Sequence, residues 1–153
     1  MLKEADILRT VRNEILALYP GYGIYLDDTK ENFKTPCFFL KLIRSTNMHT
    51  KYLNFNVCTL YITYFPTLNG DALEMYEVKD KLIEKFWQGL QVADRHIKFE
   101  PINSNTDGQD SNIAQITLPF SYYDAVPREE PAYTMGQLHQ SQNTNYRSDK
   151  NGE

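Results

Sequence analysis

The residues that could perform chemistry are few and widely spaced in this chain of 153 residues. The pair Asp27–Asp28 could bind Mg²⁺, or act with His96 as the acid and base of a small hydrolase. No third carboxylate follows at a recognisable spacing, so a solvated loop is the better interpretation. The sequence contains no HExxH, CxxC, GxSxG or P-loop motif. We therefore predict no catalytic site, no metal site and no bound cofactor.

One stretch partly matches the pattern of a calcium-binding loop. Residues 103–108, NSNTDG, match the first half of an EF-hand loop, with side-chain oxygens at alternate positions and glycine at the sixth. The second half does not match, because Asp110 stands where an aliphatic residue is usual and Ala114 stands where the loop needs glutamate. The flanking residues have the pattern of strands rather than helices, so we predict no calcium binding.

The two cysteines, Cys37 and Cys58, lie in predicted strands with no histidine near them in sequence. A strand in a hydrophobic core is a poor place for a nucleophile, because burial disfavours the thiolate. We interpret both as buried free thiols in a reducing compartment.

The composition is that of an ordinary soluble domain, with 41% hydrophobic and 24% charged residues. A formal net charge of -4 argues against a protein that wraps duplex DNA, which would carry a basic stripe. No apolar run of about 18 residues exists, so no membrane span is predicted. The first ten residues, MLKEADILRT, lack the pattern of a signal peptide.

The clearest element is a long β-hairpin, with arms at residues 36–43 and 52–65 and a bend near residues 47–50. Its return arm is rich in β-branched and aromatic residues, which favour strands. Fourteen residues would span roughly 46 Å, more than a small domain can cover with its own core. Residues 44–57 alternate with polar side chains and lack an obvious cover, so we expect this part to contact a neighbouring chain.

The predicted contact residues come from this distal part of the hairpin and from the end of the chain. They are Arg44, Asn47, His49, Lys51, Tyr52, Asn54, Phe55, Asn56, Tyr133, Met135 and Leu138.

The other elements predict an α+β fold in a single domain, with a mainly antiparallel sheet and two helices packed on it. Apolar residues at helical spacing indicate helices at residues 3–19 and from residue 71 to about 90. A short strand at residues 22–26, a small hairpin at residues 90–99 and a last strand at residues 112–123 complete residues 1–126. Residues 127–153 are polar and poor in aliphatic side chains, and are predicted to be a C-terminal tail that is disordered or ordered by a partner.

This order of elements resembles the tail terminator, or tail completion, family of bacteriophages and phage-derived tail particles. The similar stretches are GIYLDDTKENFKTPCFFLKLI, NFNVCTLYITYFP with the following helix DALEMYEVKDKLIEKF, and the closing pair HIKFEPIN and IAQITLPFSYY. The similarity covers residues 1–126 and rests on strand residues and turn prolines, not on a chemical signature.

The resemblance implies a structural protein of the virion tail, assembled in the host bacterial cytoplasm. Its subunits would form a hexameric ring that caps the tail tube, stops polymerisation and joins the neck or connector protein. In a contractile tail the ring would also meet the sheath protein, and DNA would pass through its lumen without sequence-specific binding. The alternative is a neck or head-closure adaptor of the same particle.

Overall fold

The computed structural model describes residues 1–26, 33–68, 70–107 and 113–128. Two helices and seven strands follow one another along this part of the chain. They are α1 (Glu4–Leu18), β1 (Gly23–Leu26), β2 (Cys37–Met48), β3 (Leu53–Phe65), α2 (Ala72–Phe86), β4 (Leu90–Val92), β5 (Arg95–Ile97), β6 (Asn103–Asp107) and β7 (Ile113–Ala125). The predicted α+β class with two helices and a long hairpin is confirmed.

Five strands form the main sheet in the order β1-β2-β3-β7-β6. The pairing of β1 with β2 is parallel, and the other three pairings are antiparallel. The strand β3 lies at the centre, flanked by β2 on one side and β7 on the other along almost its whole length. Its alternation of β-branched and aromatic residues suits a strand with neighbours on both sides.

Both helices pack on one face of this sheet, which we call the inner face. The helix α1 buries Ile7, Val11 and Ile15, which recur every four residues along one side. The helix α2 begins after Asp71, whose carboxylate accepts a hydrogen bond from the backbone N–H of Leu73 at 3.4 Å. The two helices join one hydrophobic cluster with the inner face of the sheet.

A second, two-stranded sheet closes one end of this core. The hairpin of β4 and β5 was predicted from the sequence and is confirmed. Its buried side chains, Leu90, Val92 and Ile97, belong to the same cluster as the helices. Ala93 takes a φ of 51° at the bend, and Gly89 a φ of 91° just before β4. Such positive φ values favour glycine, so Gly89 adopts its backbone conformation without strain, whereas Ala93 adopts one that is less favourable for its side chain.

Two sequence predictions about strands are wrong. Residues 103–107, predicted to belong to an extended segment and a polar loop, form the edge strand β6, which pairs with β7. The last strand continues past residue 123 to Ala125 and follows β3 to its far end. The hairpin therefore does not project alone, because β7 forms a third strand beside it.

Other predictions fall on residues outside the described ranges. These are the acidic pair Asp27–Asp28, the turn that begins at Gly108, and most of the C-terminal tail with Tyr133, Met135 and Leu138. Neither helix in the described ranges is both long and apolar enough to cross a membrane.

Candidate assembly surface at the distal half of the sheet

The far end of the sheet is built from three strands in register. We call residues 43–48 of β2, 53–59 of β3 and 119–125 of β7 the distal half. At its tip the backbone N–H groups of His49 and Thr50 both donate to the carbonyl oxygen of Leu53 at 2.9 Å. The N–H of Val126 donates to the carbonyl oxygen of Tyr52 at 3.0 Å, so the chain after β7 stays attached to the tip.

The inner face of the distal half carries buried polar groups. The side chains of Asn56 and Asp124 are only 4% and 2% exposed. The hydroxyl of Thr46 donates to the side-chain oxygen of Asn56 at 2.7 Å. Since buried polar groups are costly unless they are hydrogen-bonded, this contact stabilises the pairing of β2 with β3 within one subunit.

The carboxylate of Asp124 is the centre of this polar cluster. It accepts hydrogen bonds from the backbone N–H of Leu2 at 2.6 Å and from the guanidinium of Arg95 at 2.9 Å. Nearby, Nε of Arg44 lies 2.8 Å from the carboxylate of Glu4. The expectation that residues 44–57 lack a cover within the subunit is therefore wrong for the part of the inner face around Arg44 and Asn56, which the start of the chain and β5 cover. Nearer the tip, Met48 on the same face is 77% exposed.

The opposite, outer face of the distal half exposes apolar side chains. Ile43, Leu53, Val57 and Tyr123 are 49%, 40%, 44% and 49% exposed. Phe55 lies beside them, with its ring centroid 4.8 Å from that of Tyr123. We call these five residues the outer patch. None of the five belongs to the buried hydrophobic cluster that the two helices join.

The two edges of the distal half differ in their backbone hydrogen bonds. The strand β1 pairs only with residues 37–40 of β2, so residues 41–48 have no strand partner on that side in the described part of the chain. On the other edge, the carbonyl oxygen of Pro119 accepts from the N–H of Glu100 at 2.8 Å, and that of Tyr123 accepts from Arg95 at 2.5 Å. Proline also lacks an N–H that a neighbouring strand could use. The β2 edge is open, whereas the β7 edge is obstructed.

The tip of the hairpin carries two cations on one aromatic ring. The ammonium of Lys51 lies 5.8 Å from the centroid of the Tyr52 ring, and the guanidinium of Arg128 lies 4.1 Å from it. Cations over an aromatic face are attracted by its quadrupole. The tip is therefore a basic corner at the end of the outer patch.

The structure divides the predicted contact residues into three groups. His49, Lys51 and Tyr52 lie at the tip, and the pairing register places Asn47 and Phe55 on the outer face. Arg44, Asn54 and Asn56 lie on the inner face, where Arg44 and Asn56 already have partners within the subunit. Whether any of these residues contacts another chain stays a prediction.

Most residues of the outer patch were not predicted from the sequence. Ile43 was assigned to the buried base of the hairpin. Val57 was noted as an apolar residue that alternates with asparagines, but it was not predicted to be a contact residue. The available signal was the apolar set at residues 53, 55 and 57, which must share one face of a strand. Tyr123 joins it only through the pairing of β7 with β3.

In the described part of the chain, both cysteines are buried and one histidine is hydrogen-bonded. Burial raises the pKa of the Cys58 thiol to about 11 and also raises the pKa of Cys37, so both remain protonated near neutral pH. The Nε2 of His96 donates to the carbonyl oxygen of Gln88 at 2.8 Å. Among the described residues, no group of three or more His, Cys, Asp or Glu could hold a metal ion.

These features define a small α+β domain that exposes an open strand edge and an apolar sheet face. A family model described as phage tail terminator protein matches residues 6–132, and the chain belongs to this family. The resemblance drawn from the sequence is thereby confirmed. The protein is a structural component of a phage tail and interacts with other tail components.

Other comparisons concern the fold alone. One solved structure is similar with a TM-score of 0.50 at 13% sequence identity, and the match covers 85% of this chain and 100% of that chain. No curated protein matches the sequence.

Proposed function

We propose that the protein is the terminator of a phage tail and forms a ring, as a hexamer, on the end of the tail tube. The ring stops the addition of further tube subunits and, in a contractile tail, of sheath subunits. Family membership supports the place of action. The observation that carries ring formation is the open edge of β2 at residues 41–48.

An open edge is a template for another chain, because its unpaired N–H and C=O groups can continue the sheet. Contact between two β2 edges would be isologous and would end at a dimer. The two edges of the distal half differ, however, and a contact between unlike surfaces of successive copies is heterologous. Heterologous contacts generate rings when the rotation closes, which is the assembly that a tube cap requires.

The tip and the strand next to the open edge supply the side chains of this contact. In our proposal Asn47, His49, Lys51 and Tyr52 meet the next subunit directly, together with Asn54 and Phe55. Arg44 and Asn56 act through their bonds within the subunit, which hold the edge in place. Tyr133, Met135 and Leu138 of the C-terminal segment are a further candidate contact for a subunit or partner.

The remaining partners follow from the position of such a ring. One side meets the tail tube protein, and the other offers a joint to the neck or connector protein. DNA passes through the lumen, and a formal net charge of -4 disfavours adhesion to its phosphates. The protein acts without catalysis or cofactor, and assembly takes place in the host bacterial cytoplasm.

Electron microscopy of the purified protein mixed with tail tubes tests this function. We expect rings on the tube ends, and we expect Ser45→Lys combined with Asn47→Lys to abolish them, because lysines on an edge oppose strand addition. Gln88→Lys combined with Gln91→Lys adds the same charges outside the main sheet and should leave the rings intact. Bare tube ends with the unchanged protein would contradict the proposal.

Deletion of the gene separates the terminator from a neck adaptor. Loss of a terminator should give tails of abnormal length, because polymerisation is no longer stopped. Loss of a neck protein should give tails of normal length without heads. Normal tail length in the deletion strain would therefore exclude the terminator function.

A further inference from the structure

The outer patch is an apolar feature of the described surface that the open edge does not explain. Its side chains lie on the face of the sheet, not along its edge, and they are 40% to 49% exposed at Ile43, Leu53, Val57 and Tyr123. Contiguous exposed apolar side chains on a soluble domain mark a contact with another surface. The question is which surface covers them.

The described chain ends beside this patch. Beyond β7, Val126 bonds to the backbone of Tyr52, and Arg128 lies over the ring of the same tyrosine. The next residue after Tyr52 is Leu53, which belongs to the outer patch and pairs with Ala125. Residues 129–153 therefore start at one end of the outer patch.

The sequence of this segment provides suitable side chains within reach. Tyr133 and Met135 are two residues apart and share one side of an extended chain. At roughly 3.4 Å per residue, Tyr133 can lie up to about 17 Å from Arg128, and Leu138 up to about 34 Å. The outer patch extends about 13 Å along β3 from Leu53 to Val57, so these side chains can reach all of it.

Charge complementarity favours the same arrangement. The segment begins with Glu129 and Glu130, and it leaves the domain at the basic corner formed by Lys51 and Arg128. Opposite charges at this point would direct the start of the segment along the tip instead of away from it. A tethered segment also has a high effective concentration at its site, so a small apolar contact suffices.

We propose that the outer patch of the free subunit binds the C-terminal segment of its own chain through Tyr133, Met135 and Leu138. This places those residues within the subunit before assembly. The contact goes beyond the proposed function, since it requires neither a ring nor a tail tube. The bound segment keeps the apolar sheet face from contacting other copies until the subunit assembles.

Disulfide cross-linking in the full-length free protein tests the proposal. The variant Val57→Cys with Met135→Cys joins the patch to the segment, while the native Cys37 and Cys58 are buried and stay unreactive. The matched control is Leu73→Cys with Met135→Cys, because Leu73 is 61% exposed on α2, on the helical side of the domain. Ser121→Cys, which pairs with Val57 and is exposed, replaces Val57→Cys if that variant is poorly folded.

We expect an intrachain disulfide that forms severalfold faster in the Val57 pair than in the Leu73 pair, at a rate independent of protein concentration. Adding Tyr133→Ser and Leu138→Ser to the Val57 pair should slow the reaction to the rate of the Leu73 pair. Adding Gln137→Ser and Gln140→Ser instead should not. Equal rates in the two pairs would overturn the proposal.

A disulfide that forms only between chains would also overturn it and would assign the patch to a second copy. The readout is independent of the proposed function, because the free protein is separated from rings before oxidation. Failure to cap tubes would therefore leave this result unaffected.

Discussion

The two halves of the same three strands differ in the side chains that their inner faces bury. In the half near β1, the inner face packs apolar residues such as Leu40, Ile62 and Ile116 under the helices. In the distal half, the inner face buries Asn56 and Asp124 in a bonded polar cluster beside Cys58 and Phe120, and the outer face exposes apolar side chains.

The difference separates stability within the subunit from contact between chains. Polar residues on a strand suggest exposure to solvent. On the distal inner face, however, Asn56, Asp124 and Arg44 form hydrogen bonds and ion pairs within one subunit. The surface that remains available consists of the open β2 edge and the outer patch. Burial, not polarity, indicates which residues can meet another chain.

The largest expected effect comes from the half near β1. Ile62→Ala removes a fully buried side chain and should lower the free energy of unfolding by about 3–4 kcal/mol. Val57→Ala, on the outer face of the same strand, should lower it by less than about 1 kcal/mol. Urea denaturation followed by circular dichroism measures both, and equal losses would contradict the contrast between the two halves.

Substitution in the polar cluster should give the next largest loss of unfolding free energy. Asp124→Ala leaves the N–H of Leu2 without its acceptor and removes one of the two acceptors of the Arg95 guanidinium, and should cost about 2–3 kcal/mol of unfolding free energy. Asp124→Asn keeps the shape and one acceptor oxygen, so its loss should be smaller in the same denaturation experiment. A neutral effect of the alanine variant would mean that the cluster does not stabilise the distal half.

A smaller effect is expected from a single bond in the cluster. Thr46→Val removes the donor to the buried Asn56 and should cost about 1 kcal/mol. Thr63→Val makes the same change on the outer face of β3 and should alter stability by no more than about 0.5 kcal/mol. If the outer-face variant lost more stability than Thr46→Val, the assignment of the two faces would be wrong.

The last effect is a pH dependence at the boundary between the halves, and it is confined to alkaline pH. Burial raises the pKa of Cys58 from 9.0 to about 11, so the folded protein holds this proton more tightly than the unfolded chain. Its contribution to stability is complete below pH 9.0 and is lost as the pH rises through about 11. The unfolding free energy of Cys58→Ala should therefore fall less steeply over this range. Parallel curves for the two proteins would contradict the prediction.

The sequence was sufficient for elements with a strong local period. The helical spacing of Ile7, Val11 and Ile15 and the strand residues of the hairpin gave the fold class and the family resemblance. The strand β6 was missed because its Asn, Ser and Thr residues have the composition of a loop, and only pairing with β7 makes it a strand.

The assembly surface could be predicted only in part. The hairpin tip follows from local polarity, but the burial of Asp124 depends on groups from Leu2 and Arg95, distant in sequence. Charged residues are rarely fully buried unless paired, and a single sequence does not reveal the pair. The outer patch likewise requires the register of β7 against β3.

The bond between Leu2 and Asp124 joins residues separated by 122 positions, and β7 is the last of the described strands to leave the ribosome. Until it emerges, the central strand has β2 on one side only, and the helices have an incomplete sheet to cover. Contacts that close such long loops form late, because the loop entropy must be overcome first. The domain can therefore complete its fold only after residues 2–124 have all been synthesised, and shorter nascent chains lack the assembly surface.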